Sequence, residues 1–257
     1  MEREPNLAKK AVDLIRDQGV LSLASRLPAF VEEQWYRQRR KYQKIEYQRR
    51  QQTEWPADRP LVSVIIPCYN YGAFICEAIE SVLDQTFQRL EILVIDDGST
   101  EDFTKQVLRE LEFPKTRVIH QTNQGLAETR NNGVKMAAGK YVCFLDADDL
   151  MAPTYLEKTL HLLESDESLG SCYSWVQCFG DSSSVWKTED LDPYFLKKRN
   201  TASSHSVIRK EAWEKVRDAN GAGFLSKYNG YFEDWVFWID MLECGYRGVV
   251  HWGRRVR

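Results

Sequence analysis

Tyr141-Val142-Cys143-Phe144-Leu145-Asp146-Ala147-Asp148-Asp149 sets an apolar run directly against three carboxylates. Successive apolar and aromatic residues suit a strand covered on both faces, and acids at its carboxyl end stand where open α/β sheets bind ligands. Side chains two apart in extended backbone share a face. Asp146 and Asp148 can therefore converge on one oxygen-liganded divalent cation and the phosphates it carries. Taken alone, the stretch is equally a strand followed by an acidic turn, because Asp favours turns through its own hydrogen bonds.

The same arrangement recurs upstream. Val62-Ser63-Val64-Ile65-Ile66 reads as a buried strand closed by Pro67 and leads into Cys68-Tyr69-Asn70-Tyr71-Gly72, while Leu90 to Ile95 ends at Asp96-Asp97-Gly98-Ser99. Between them, Ile75, Ala78, Ile79, Val82 and Leu83 recur at helical spacing. Ser99 with Asp102 resembles a capping box for a helix whose apolar face is Phe103, Val107 and Leu111. Arg117 to His120 is a short third strand, and Leu126 to Ala138 a helix ended by Gly139. Pro153 suits the first turn of a helix carrying Leu156, Leu160 and Leu163 on one face. Strands alternating with single helices predict an α/β fold, a Rossmann-like α/β/α sandwich on a mostly parallel central sheet with right-handed crossovers. Polar or acidic residues at three strand ends then open onto one crevice, which turn preference alone does not explain.

Beyond Leu169 the periodicity weakens. Ser171 to Phe179 reads as a strand, Asp181 to Thr201 as loop, Ser204 to Ile208 as a strand and Lys210 to Val216 as a helix. A loop from Gly221 to Gly230 delivers a helix entrance with Glu233 and Asp234 in its first turn, and Trp235 and Trp238 share a face read as core. Residues 1–55 predict an N-terminal helical extension, and the proline-bearing residues 56–60 a linker. The basic, aromatic segment 28–50 packs on the main domain, contacts an anionic membrane surface peripherally, or binds a protein partner. Residues 61–257 form the main domain, with a nucleotide half over 61–150 and an acceptor half over 151–257.

With 257 residues, 43% of them hydrophobic, the chain can build one large α/β core with an appendage. A formal charge of -3 gives no global footprint for nucleic acid. Six cysteines without C-x-x-C spacing point to buried reduced thiols and a cytoplasmic protein, and the sequence shows neither a membrane span nor a secretion signal.

From Leu61 to about Gly248 the chain resembles the family 2 glycosyltransferases, inverting nucleotide-sugar-dependent enzymes of the GT-A fold that include many transferases of polysaccharide biosynthesis. The resemblance rests on Val62 through Asn70, Ser81-Val82-Leu83-Asp84-Gln85-Thr86, Glu91 through Ser99, Asn123-Gln124-Gly125-Leu126 with Arg130-Asn131, Asp146-Ala147-Asp148, and Glu233-Asp234-Trp235. It implies a UDP-sugar donor, or less often another nucleotide sugar, and a saccharide or lipid-linked acceptor. Pro67, Tyr69 and Asn70 are expected beside the nucleoside, Asp97 as acceptor of the uracil ring N–H, and Arg130 toward the diphosphate. Asp146-Ala147-Asp148 corresponds to the D-x-D motif, with Asp148 as direct ligand of Mg2+ or Mn2+ and Asp146 nearer the ribose or the metal's waters. Asp149 reads as a turn or helix-start residue. Glu233 and Asp234 match the acidic pair that supplies the catalytic base, Asp234 being the stronger candidate.

The family's glycine-rich loop is altered to Gly221-Ala222-Gly223-Phe224. The sequence stops at Arg257, so either His251 and Arg254-Arg255 are expected to reach the diphosphate, or the closing element is missing or comes from elsewhere. Two rivals remain at this stage: a nucleotidyltransferase, for which the loop after the first strand lacks basic residues, and a non-catalytic nucleotide-sugar-binding module.

Overall fold

A computed structural model describes residues 62–180, 183–228 and 232–251. The N-terminal extension, the linker and Arg254-Arg255 lie outside these residues. Two compact units are distinguished. The described part of one is the antiparallel hairpin of Val176–Gln177 and Val185–Trp186. The other carries a single seven-stranded sheet.

In chain order its strands are β1 (Val62–Cys68), β2 (Leu90–Asp96), β3 (Thr116–His120), β4 (Tyr141–Phe144), β5 (Leu169–Tyr173), then β6 (Val207–Arg209) and β7 (Arg247–Val250) beyond the hairpin. Their spatial order is β3-β2-β1-β4-β6-β5-β7. All neighbours are parallel except across β6, which runs antiparallel to both β4 and β5. Strands from both expected halves thus share one sheet.

The helices are α1 (Ile75–Leu83), α2 (Asp102–Glu110), α3 (Leu126–Met136), α4 (Tyr155–Ser165), the single turn α5 (Pro193–Leu196), α6 (Lys210–Asn220) and α7 (Glu233–Glu243). Alternation along each strand divides the core between the two faces. Val62, Val64 and Ile66 pack with Ile79 of α1, Leu108 of α2 and Leu160 of α4. Ile65, Leu93, Val142 and Phe144 pack with Val134 of α3, Trp213 of α6 and Phe237 of α7. This is the expected α/β/α sandwich, and Trp238 is core as its spacing suggested.

Several local expectations change. β1 continues through Pro67 to Cys68, because its pairing with β4 ends at Ile65 and no ladder partner on that side needs the missing N–H. Ser99 does not cap α2. Its hydroxyl accepts from the Asn70 backbone N–H at 3.1 Å, while Asn70 Oδ1 accepts from the N–H groups of Thr100 and Glu101 at 2.8 and 3.0 Å. The loop over 181–201 contains one strand of the hairpin and α5, which Asp192 caps from Tyr194 N at 2.7 Å. Helix α3 lies close on the sheet because residue 133 is glycine: a Cβ there would run into Ile65 Cγ2. That approach sets the depth of Arg130, one turn earlier. Among the described residues no helix is long and apolar enough to cross a membrane, and all six cysteines are free.

Candidate active site

The register aligns Cys68 with Asp96 and Asp96 with His120, so the ends of β1, β2 and β3 share one edge of the sheet. Asp97 stands just beyond it, buried, and organises the loop that follows β3. One carboxylate oxygen accepts from Gln121 Nε2 and Gln124 N, both at 2.8 Å; the other accepts from Gly125 N at 2.8 Å. Gly125, with φ 84°, turns its N–H toward Asp97 from a backbone conformation that favours glycine. Gln121 Nε2 also donates to Thr129 Oγ1 at 3.1 Å, which links Asp97 to the residue preceding Arg130.

Asn70 spends its amide on Thr100 and Glu101, with Nδ2 donating to Thr100 Oγ1 at 3.0 Å, so it ties the β1 loop to the β2 loop. Its φ of 62° is in the left-handed region that Asn tolerates. Tyr69 is exposed and Pro67 buried. Burial raises the pKa of Tyr71, and Asp148, Asp146 and Asp149 add to the rise, which puts the β1 loop beside the acidic loop.

Arg130 is almost wholly buried. It donates from Nη1 to Glu233 Oε1 at 3.0 Å and from Nη2 to Asp146 Oδ1 at 3.1 Å. The guanidinium lies 6.0 Å from the ring centres of Phe144 and Phe224. Its Nε and Glu233 Oε2 are buried with no hydrogen-bond partner. Arg130 is thus a strut between the β4 loop and the start of α7.

The acidic loop divides its carboxylates. Burial works against the charge of Asp146, but Arg130 and His205 more than offset it and hold the group well below the usual carboxylate range. Ala147 is buried between its acidic neighbours. Asp148 has no side-chain partner among the described residues; partial withdrawal from water and then the charges of Asp149 and Asp146 raise its pKa. Asp149 closes the expected turn, its N–H donating to Asp146 O at 3.0 Å, and its side chain faces His205: Nε2 lies 2.8 Å from its Oδ2 and 3.3 Å from Asp146 Oδ2. Neither approach has hydrogen-bond geometry, so the contact is ionic. Burial disfavours the imidazolium, yet the two aspartates raise the His205 pKa to about 10.

Asp146, Asp149 and His205 each offer one ligand atom within 4.8 Å of the others. With the exposed Asp148 beside them, and His205 Nε2 left without a hydrogen bond, this donor set fits a divalent cation. His205 escaped the sequence reading because it stands alone in a polar Ser203-Ser204-His205-Ser206 stretch; a titratable residue just before an apolar pair was its signal.

Asp234 accepts from Trp235 N at 2.7 Å and from Asn200 Nδ2 at 2.9 Å, leaving acceptor capacity on each oxygen. Burial raises its pKa and Glu233 adds to the rise, while Arg130, the Trp235 N–H and Asn200 oppose it. Trp235 donates Nε1–H to Leu196 O at 2.7 Å, so α5 and the start of α7 are fastened together. The altered loop is held by fully buried Asn131, whose amide pairs with Phe224 N and O at 2.9 and 2.8 Å. His251 donates its backbone N–H to Tyr173 O at 2.6 Å.

The family model "Glycosyl transferase family 2" matches residues 63–220, more than half of the chain. The chain belongs to glycosyl transferase family 2. It is 39% identical over 134 residues to the uncharacterised glycosyltransferase YibD of Escherichia coli K12, an alignment covering 51% of this chain and 38% of that one. TarS of S. aureus, solved in complex with UDP, superposes with a TM-score of 0.57 at 23% identity, covering 75% of this chain and 58% of that one. The mannosyltransferase PcManGT of Pyrobaculum calidifontis, solved with GDP-Man and Mn2+, gives 0.56 at 20% identity, covering 88% and 66%. The chain thus spans well under two thirds of YibD, and its fold is that of the GT-A glycosyltransferases. Glu233 and Asp234 lie beyond the span matched by the family model.

Proposed function

We propose that this glycosyltransferase moves a sugar from a UDP-sugar to a hydroxyl of a saccharide or lipid-linked acceptor in glycan assembly, inverting the anomeric carbon. The observation that carries this reading is Arg130, which joins Asp146 on the cation side to Glu233 beside the candidate base. Donor phosphates held at the acidic loop would then lie within reach of Asp234.

Exposed Tyr69 offers a ring for the base to stack on, Pro67 and Asn70 shape the loop beneath it, and Asp97 keeps lone-pair capacity for a uracil N–H. The UDP bound by TarS supports that choice of nucleotide, and the Mn2+ bound with GDP-Man by PcManGT supports a divalent cation. Asp146 and Asp148, with Asp149, would hold Mg2+ or Mn2+, and the ion would neutralise charge on the departing diphosphate.

In the reaction the acceptor oxygen attacks the anomeric carbon as the bond from that carbon to the diphosphate oxygen breaks. Asp234 takes the hydroxyl proton, and the nucleoside diphosphate leaves with the bonding pair. A carboxylate whose pKa is raised by burial is a better base for that proton than a solvated one. Arg130 holds Glu233, so Glu233 positions Asp234 rather than competing for the proton. Calorimetric titration with UDP and Mn2+ tests the donor site, and the absence of binding by folded protein rejects it. A transfer and hydrolysis assay across UDP-sugars tests the reaction class, because a nucleotidyltransferase releases pyrophosphate and a binding module yields no product.

A further inference from the structure

We infer that His205 is a nitrogen ligand of the divalent cation at the acidic loop, and that it biases this site toward a transition ion such as Mn2+ over Mg2+. The inference rests on the cation site proposed above. It adds a residue from the approach to β6, about sixty positions from the D-x-D motif.

The geometry has three parts. First, Nε2 is shielded from water and aimed between Asp146 Oδ2 and Asp149 Oδ2, at 3.3 and 2.8 Å, yet makes no hydrogen bond to either. A ring nitrogen brought that close to two carboxylate oxygens without hydrogen-bond alignment is placed as a ligand is. Second, the other ring nitrogen is occupied: Nδ1 lies 3.1 Å from Ser203 Oγ. Histidines that bind metals characteristically use their second nitrogen in this way, which fixes ring orientation. Third, the backbone is anchored on both sides. His205 N donates to Ser203 Oγ at 3.1 Å, and Tyr155 Oη donates to His205 O at 2.5 Å. The imidazole is therefore presented to the carboxylates by a preformed turn.

Selectivity follows from ligand chemistry. Mg2+ demands hard oxygen ligands and gives up water reluctantly, whereas an imidazole in the set favours first-row transition ions. Asp146 divides its oxygens, Oδ1 to Arg130 and Oδ2 toward His205, so the same carboxylate that anchors Arg130 also faces the cation.

The test uses the full chain with Mn2+ alone and with Mn2+ plus UDP. Pulsed electron paramagnetic resonance on wild-type protein should show modulation from a histidine nitrogen bound to Mn2+ in both samples. That modulation should vanish in His205→Gln and His205→Leu. Both variants should bind Mn2+ at least about 10-fold more weakly. Mg2+ affinity should change by less than about 3-fold, the size expected when a lost ligand is one the ion does not prefer. Mn2+ bound without nitrogen modulation in wild type overturns the inference, and needs no variant to do so. Unchanged or tighter Mn2+ binding in the variants also overturns it, since His205 would then be only a counter-cation to the aspartates. Nitrogen-coupled Mn2+ with no affinity for UDP keeps the inference and rejects the donor assignment instead.

Discussion

Replacing Arg130 by Met removes the one cation paired with Glu233 among the described residues. Both side chains are nearly free of water, with 3% and 7% of their surface exposed, and the second Glu233 oxygen already lacks a partner. Deleting one member of a buried ion pair costs about 3–5 kcal/mol, because the remaining charge stays desolvated. The bond to Asp146 adds little, since that carboxylate is a third exposed and keeps His205. Methionine fills much of the guanidinium's volume between Phe144 and Phe224, so no large cavity term follows. For a domain of this size the loss corresponds to a fall in Tm of roughly 6–20 °C. Urea unfolding followed by circular dichroism measures it. The Arg130→Met, Glu233→Met double variant should recover at least about 2 kcal/mol of the summed single losses, because an apolar pair replaces the ionic one. A cost below about 1 kcal/mol for Arg130→Met, or additive losses in the double variant, would refute the buried strut.

Asp234→Asn should lower transfer by roughly 100- to 10,000-fold with UDP affinity near wild type, and loss of both together rejects Asp234 as the base. Its raised pKa puts the acid limb of kcat/KM above the ordinary aspartate value of about 3.9, and Asn200→Ala, which removes a donor to the ionised form, should move that limb higher. A carboxyl whose folded pKa is raised contributes stability below its unfolded pKa and loses it as pH rises through the folded one. Asp234→Asn should therefore melt at or above wild type at pH 7.5 and lose that advantage near pH 4, as thermal scans at the two pH values would show. Asp97→Ala strips partners from Gln121, Gln124 and Gly125 and should weaken UDP binding at least about 10-fold by calorimetry; unchanged affinity rejects its place at the nucleoside. Asn131→Ala leaves the buried Phe224 N–H and carbonyl unpaired and should cost about 2–4 kcal/mol in chemical denaturation. Chelation with EDTA should lower UDP affinity by at least about 100-fold, and equal affinity with and without chelator removes the cation from donor binding.

What the sequence revealed and what it hid divide along physical lines. β1, β2 and β4 lie inside the sheet with both faces covered, so their apolar runs announce them. β6 is only Val207–Arg209, and nothing in three residues encodes an antiparallel direction; that comes from the chain returning between β4 and β5. Ser99 looked like a local cap for α2, but its hydroxyl accepts from Asn70 N, and Asn70, some thirty positions away, holds the Thr100–Glu101 approach to that helix. The sequence shows that a cation stands at Arg130, not which acids the folded sheet brings to it. Glu233 lies 103 positions from Arg130 and meets it only when α3 and α7 pack on the same face. Asp149 and His205 became partners for the same reason.

Charge explains why cation and nucleotide should behave as one ligand. Among the described residues, Asp146, Asp148, Asp149, Glu233 and Asp234 gather near two cationic side chains, Arg130 and His205, and Arg130 is already committed to Glu233 and Asp146. A diphosphate entering alone would meet surplus negative charge. At roughly 6 Å and an effective dielectric near 20, each unneutralised pair of charges costs about 3 kcal/mol. A divalent ion bound as proposed would reverse the sign of that encounter at the exposed Asp148, which has no side-chain partner among the described residues. In the proposed reaction Asp234 would benefit in turn. A cation held at the far end of the Arg130 strut would meet the developing charge of the leaving group there, and Asp234 would be left to accept a proton in surroundings whose burial already favours its protonated form.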